Sequence, residues 1–181
     1  MIKNYLNQLI DIATSDNHFD SVIDARKEYQ SIAGNIYEDD KSYENRMALF
    51  LEWYVFDRIS PETDQTLLET LIKKNKENRS SNMLPIFEMF TTNIHGLFIV
   101  KKIRDRSIKV LNLFDSEVYE ASESLGKLLF SKSGVFEGRL ISYDNMNHFT
   151  GSFCFHPEKA TRFIKREVKK VGVIIHRNKK E

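Results

Sequence analysis

Phe50-Leu51-Glu52-Trp53-Tyr54-Val55-Phe56-Asp57-Arg58 sets the only Trp of the chain among three other aromatic residues. Tyr43, Met47, Phe50, Leu51, Tyr54 and Val55 recur at helical spacing, and Leu49, Trp53 and Phe56 form a second apolar stripe. A helix apolar on two sides must be covered on two sides. The stretch therefore reads as the central buried helix of an N-terminal helical unit, with a side available to a β-rich unit that follows. Trp53, Phe56, Asp57 and Arg58 are its structural residues. Glu52, Asp57 and Arg58 are polar groups on an apolar helix, and burial tolerates charge only when it is paired or hydrogen-bonded. Asp57 or Arg58 is expected to make a structural contact, to a loop backbone or to the β unit.

Other helices flank this one. Ile2, Tyr5, Leu6, Leu9, Ile10 and Ala13 trace one face of a first helix. A second starts near Asp20 and stops at Gly34-Asn35, a pair suited to a left-handed C-terminal cap. Asp39 or Asp40 is expected to cap the Trp53 helix, with Asp39, Asp40 and Glu44 suiting its positive end, and Ser60-Pro61 marks its exit. Leu67, Leu68, Leu71 and Ile72 lie on a fourth helix ending in Lys73, Lys74 and Lys76, before a polar loop over residues 77–82. Pro85 opens a short fifth with Phe87 and Phe90.

Near residue 94 the period shortens and glycines accumulate: Gly34 precedes that point, and Gly96, Gly126, Gly134, Gly138, Gly151 and Gly172 follow it. Residues 97–103, 107–113, 118–121, 135–142 and 149–155 read as short strands separated by tight turns, one at residues 144–147. A helical turn fits within residues 122–129. Five such strands predict a small antiparallel β-barrel or strongly curled sheet. Pro157 opens a last helix with Ala160, Phe163, Ile164, Val168 and Val171 on its apolar face, after which residues 171–176 return as an edge strand. The expected fold is α+β: a helical bundle over residues 1–93, a small β-barrel-like domain with a basic C-terminal helix over residues 94–176, and a tail over residues 177–181.

With 181 residues and 41% hydrophobic content the chain can bury one large core or two small ones. Cys154 is its only cysteine, which excludes an internal disulfide and a four-thiolate zinc site and favours a reducing compartment. No secretory leader pattern and no run near the ~20 apolar residues of a membrane span is present, so a cytoplasmic location is expected. Residues 1–93 hold 10 Lys+Arg against 16 Asp+Glu, net −6, and residues 94–181 hold 17 against 10, net +7. Such asymmetry suits an anionic partner for the basic half, or pairing of the two halves with each other.

The aromatic helix of residues 50–58, Thr66-Leu67-Leu68-Glu69, His95-Gly96-Leu97-Phe98, Leu111-Asn112-Leu113-Phe114-Asp115, Glu117-Val118-Tyr119, Gly138-Arg139-Leu140 and Thr150-Gly151-Ser152 together resemble a poorly characterised group of bacterial proteins. In that group an F-x-[DE]-W-[FY]-x-[FL]-D helix precedes a small β domain, and some members carry zinc-binding SEC-C tails. The resemblance spans roughly residues 43–157 and implies the two-part architecture but no activity. A Cys-rich tail is missing here, so a metal role tied to such tails does not carry over.

The strongest functional signal is the C-terminal segment, where residues 159–180 contain nine Lys+Arg and one acidic residue, Glu167. Arg162, Lys165, Arg166, Lys169 and Lys170 are candidate contacts to nucleic acid or another anionic partner, with Tyr119, Tyr143, Phe149 or Phe153 as candidate stacking platforms. Solvation of an amphipathic helix explains the same charges. Cys154 and His156 fall on one face of a strand, and His148 with Asp144 lies across a turn, but two or three donors do not commit the chain to a metal, and no cofactor is implied. Ser124-Leu125-Gly126-Lys127 and Lys132-Ser133-Gly134 mimic penicillin-recognising motifs by accident, being far too close together. No P-loop, dinucleotide fingerprint, nucleophile elbow or H-E-x-x-H is present. No nucleophile, base and oxyanion set emerges, so the sequence favours a non-catalytic binding or adaptor module, with a nucleic-acid-binding regulator as the alternative.

Overall fold

A computed structural model describes residues 2–78, 83–123 and 126–178. The protein is α+β, with helices followed by a six-stranded mixed sheet, and divides into two compact units, Met1–Thr92 and Asn93–Glu181. Among the described residues no helix is long and apolar enough to cross a membrane.

In the first unit, α1 (Ile2–Ala13) buries Leu6, Leu9 and Ala13. A short 3-10 turn, Asp16–His18, leads into α2 (Phe19–Ala33), which ends where Gly34 takes a φ of +83°, a conformation that only glycine adopts cheaply. The aromatic stretch is the C-terminal half of α3 (Tyr43–Phe56). Its first turn departs from expectation: Ser42 holds the N-cap position without a side-chain cap bond, and Asp40 Oδ1 instead accepts the Ser42 N–H at 3.0 Å. α4 (Leu67–Asn78) starts with a reciprocal capping box, the Glu69 carboxylate accepting the Thr66 N–H at 2.8 Å and Thr66 Oγ1 accepting the Glu69 N–H at 3.2 Å. α5 (Leu84–Phe90) has Pro85 in its first turn.

Both apolar stripes of α3 are covered from within this unit. α3 packs on α1, α2 and α4; the Tyr29 ring of α2 lies 5.5 Å from Phe50 and 5.3 Å from Trp53, and Phe56 meets Phe90 of α5 edge-on at 6.4 Å. Polar bonds fix the α2–α3 pair at three heights. The Arg46 guanidinium donates to the carbonyls of Ala33, Gly34 and Asn35, satisfying the exposed end of α2. Tyr54 Oη donates to Ser21 Oγ at 3.1 Å. Arg58 Nε donates to Glu28 Oε2 at 2.8 Å, with the arginine side chain only 8% exposed. Arg58 thus makes a structural contact, and its partner is a carboxylate on α2.

The second unit begins with β1 (Asn93–Ile103), β2 (Ser107–Asn112) and β3 (Val118–Ser122), continues through α6 (Gly126–Leu129), β4 (Val135–Tyr143), β5 (Met146–Phe149) and β6 (Cys154–His156), and ends in α7 (Thr161–Asn178). The sheet is mixed rather than antiparallel. β1 pairs with β2, β2 with β3, β3 with β5, β5 with β4, and β4 again with β1. In a circuit of five strands, alternate directions cannot close, so one neighbouring pair has to be parallel, and that pair is β3–β5. β6 adds to β4 beside β5. The single strand expected over residues 149–155 is therefore two, broken at Gly151 with φ +106°. Asp144 and Asn145, at φ +52° and +58°, make the two-residue hairpin loop between Tyr143 and Met146.

One side of the strands carries the core: Phe98, Val100, Ile108, Val110, Ala121, Phe130, Phe136, Leu140, Phe149 and Phe153. A Cβ at Gly138 would stand 3.2 Å from the Phe153 ring, so the missing side chain is what admits that ring against the sheet. α7 differs from expectation twice. It follows a 3-10 turn, Glu158–Ala160, and runs on through the segment expected as an edge strand, because a nucleated helix gains a hydrogen bond per added residue while β propensity is set by context. Phe163 and Val171, assigned above to its apolar face, are exposed at 57% and 44%, whereas Val168 is buried.

Arg58→Ala is expected to lower stability by about 1–3 kcal/mol, through loss of a charged hydrogen bond and a carboxylate left without it. Urea unfolding of the variant beside wild type checks this; an unchanged midpoint would contradict the assignment.

Candidate functional site

Three places in the molecule gather functional side chains. On α7, Arg162, Lys165, Arg166, Lys169 and Lys170 are all exposed. Glu167 engages two of them, accepting from Arg166 Nε and Lys170 Nζ at 2.9 Å each, and these bonds hold its carboxyl below the usual range. Arg162, Lys165 and Lys169 make no ion pair among the described residues. Lys159, Arg162 and Lys165 instead line an open groove of about 510 Å³ with Ser133, Glu158 and Thr161, at the positive end of the α7 dipole. The Arg166 guanidinium lies 5.2 Å from the centroid of the exposed Phe163 ring.

The aromatic platforms expected from the sequence are placed otherwise. Phe149 and Phe153 are core rings, Tyr119 Oη donates to Asp115 Oδ2 at 2.8 Å, and Tyr143 lies against the His148 ring at 6.2 Å. Phe163 and Phe155 are the exposed rings of the unit's C-terminal part. Their exposure was not legible from spacing, since both sit at positions that read as apolar-face or strand residues. Ser124 and Leu125 of the motif mimic, and residues 79–82 of the polar loop, lie outside the described residues; Lys132-Ser133-Gly134 forms a turn with Ser133 at φ +66°.

The second place is on β4 and β6. Glu137 is directly opposite Cys154, and His156 lies two residues on, so all three share one face of the sheet, the face opposite Phe136. One donor atom from each falls within 4.8 Å of the other two. His95, on β1 beside β4, places Nε2 2.9 Å from Glu137 Oε1. That hydrogen bond holds the Glu137 carboxyl below its usual range against the opposing effect of burial. His156 Nε2 is buried and has no hydrogen-bond partner among the described residues. Cys154 and His156 were paired from sequence; Glu137 and His95 were not, because only strand register brings them there. His148, the third residue of the sequence-based set, is opposite Ile141, four residues along β4 from Glu137 and hence about 13 Å away at ~3.3 Å per residue.

The third place is a cleft of about 260 Å³ in the helical unit, lined by Asn17, His18, Ser21, Tyr54, Arg58 and Thr70 among others. Tyr54 and Arg58 are committed to Ser21 and Glu28, so the walls are structural. Burial, and next the Lys74 ammonium, hold the His18 imidazole below its ordinary pKa of 6.5.

The chain belongs to DUF7986, a family of unknown function whose profile matches residues 2–181. No curated protein and no solved structure matches it.

His18 makes stability depend on pH with a definite sign. Its folded pKa is depressed, so the unfolded chain takes up a proton first as pH falls below 6.5, and stability present above that value is lost as pH falls through the folded value. Between about pH 8 and about pH 5 the wild type is expected to lose more stability to urea than His18→Gln does. Parallel losses in the two proteins would contradict this.

Proposed function

We propose that this protein is a non-catalytic binding module whose β unit docks a partner bearing an acidic segment through α7. One observation carries the reading: Arg162, Lys165 and Lys169 are exposed cations on one face of α7 that make no ion pair among the described residues. Phe163, exposed on the neighbouring face with the Arg166 guanidinium against its ring, adds an aromatic contact of the kind interface centres favour. The likeness to bacterial proteins in which an aromatic helix precedes a small β domain, some with SEC-C tails, fits a modular role of this kind.

A second reading, single-stranded nucleic acid, is favoured by the circuit of five strand pairings with α6 between β3 and β4. Such a circuit suits a small Greek-key barrel, an architecture that often binds oligonucleotides. The analogy is one of fold, and two of the four candidate platforms, Phe149 and Phe153, lie in the core.

Fluorescence anisotropy with an acidic polypeptide and with single- and double-stranded DNA and RNA, across a salt series, separates the readings. The acidic polypeptide is expected to bind at low salt and to weaken about tenfold or more when Arg162, Lys165 and Lys169 are all changed to Gln. Tighter binding of single strands, with a log–log salt slope reduced by about 2–3 in the variant, would replace the first reading with the second. Absence of any binding, or binding indifferent to the substitutions in a folded variant, would overturn both.

A further inference from the structure

We propose that Glu137, Cys154 and His156 form a site for a thiophilic divalent transition metal, zinc by preference, with His95 holding the Glu137 carboxylate from outside the coordination sphere. The inference is independent of α7 and of any partner it docks.

The donor set is selective. One thiolate, one imidazole and one carboxylate suit zinc and cobalt, whereas magnesium and calcium take oxygen donors. Three donors on a rigid pair of strands leave a fourth position for water or for a group from a bound molecule. Metal–donor bonds of about 2.0–2.3 Å imply donor–donor edges below about 4 Å, so the 4.8 Å cluster closes by side-chain adjustments of about an ångström. The ordinary role of a lone cysteine is that of a small core residue. Here the aromatic core occupies the other face, and Cys154 shares its face with a carboxylate and an imidazole.

His156 supplies the second, separate indication. A buried ring nitrogen lacking a hydrogen bond carries a desolvation cost that a metal ion would relieve. We assign Nε2 as its ligand atom, binding through the lone pair of the neutral ring. Cys154 binds as thiolate, so one S–H bond is broken, one metal–sulfur bond forms, and one proton passes to solvent for each metal taken up. His95 matches the outer partner that ligating carboxylates commonly have.

Cobalt titration of the chelator-stripped full-length protein tests this without a known partner. A single equivalent of Co2+ is expected to give a near-ultraviolet thiolate charge-transfer band with intense visible bands, and Zn2+ should displace both. Cys154→Ser is expected to lose the charge-transfer band, Glu137→Gln and His156→Gln to weaken Co2+ binding at least about tenfold, and His95→Ala by about 10- to 100-fold. His148→Gln should leave the titration unchanged. Circular dichroism of the metal-free variants checks their folding, and the wild-type titration stands without them. Lack of the bands in wild type at equimolar Co2+, or their survival in Cys154→Ser, would overturn the proposal.

Discussion

β4 is hydrogen-bonded along both edges, to β1 on one side and to β5 and β6 on the other, and its two-residue period decides what each face of the β unit becomes. Phe136, Gly138 and Leu140 face the ring cluster, and Val135, Glu137, Arg139 and Ile141 face the opposite way. A shift of one residue in that strand would bury Glu137 among phenyl rings and turn Phe136 toward His95. The register is held by the rings themselves: Phe136 lies 5.6 Å from Phe153 and 5.4 Å from Phe149, each nearly edge-on. Packing on one face thus positions the donor groups on the other, which is how a site can be preorganised without a loop to carry it.

The helical unit rests on a comparable constraint. α3 is apolar over two stripes and cannot be solvated on either, so α1, α2, α4 and α5 are arranged around it. The polar groups at its ends then fix angle and height. Arg46 completes the carbonyls at the C-terminal end of α2, and Arg58 reaches Glu28. Apolar burial supplies the attraction, and these directional bonds select one way of satisfying it.

What the sequence made legible was local. The 3.6-residue period of α3, the Gly34 stop of α2, the turn at Asp144-Asn145 and the shared face of Cys154 and His156 all depend on neighbours within a few positions. The alternation in residues 97–142 also disclosed strands, though not their order in the sheet. Pairing across long separations was illegible: Glu28 with Arg58 over 30 positions, Glu137 with Cys154 and His95 by register alone. The parallel β3–β5 pair follows from the circuit of pairings, which no local pattern announces. Residues 171–176 failed for a related reason, since Val171, Val173, Ile174 and Ile175 favour a strand in isolation and yet the segment continues a helix begun ten residues earlier.

β4 thus carries the phenyl-ring cluster on one face and, on the other, Glu137 of the proposed metal set among the buried Val135, Arg139 and Ile141. Anomalous diffraction at the zinc edge, from crystals of the full chain grown with equimolar zinc, tests that division most directly. The expected result is an anomalous peak bonded to Cys154 Sγ, His156 Nε2 and a Glu137 carboxylate oxygen, with His95 against that carboxylate. A zinc held by His148 or by exposed side chains elsewhere, with the Glu137–Cys154–His156 position empty, would contradict it.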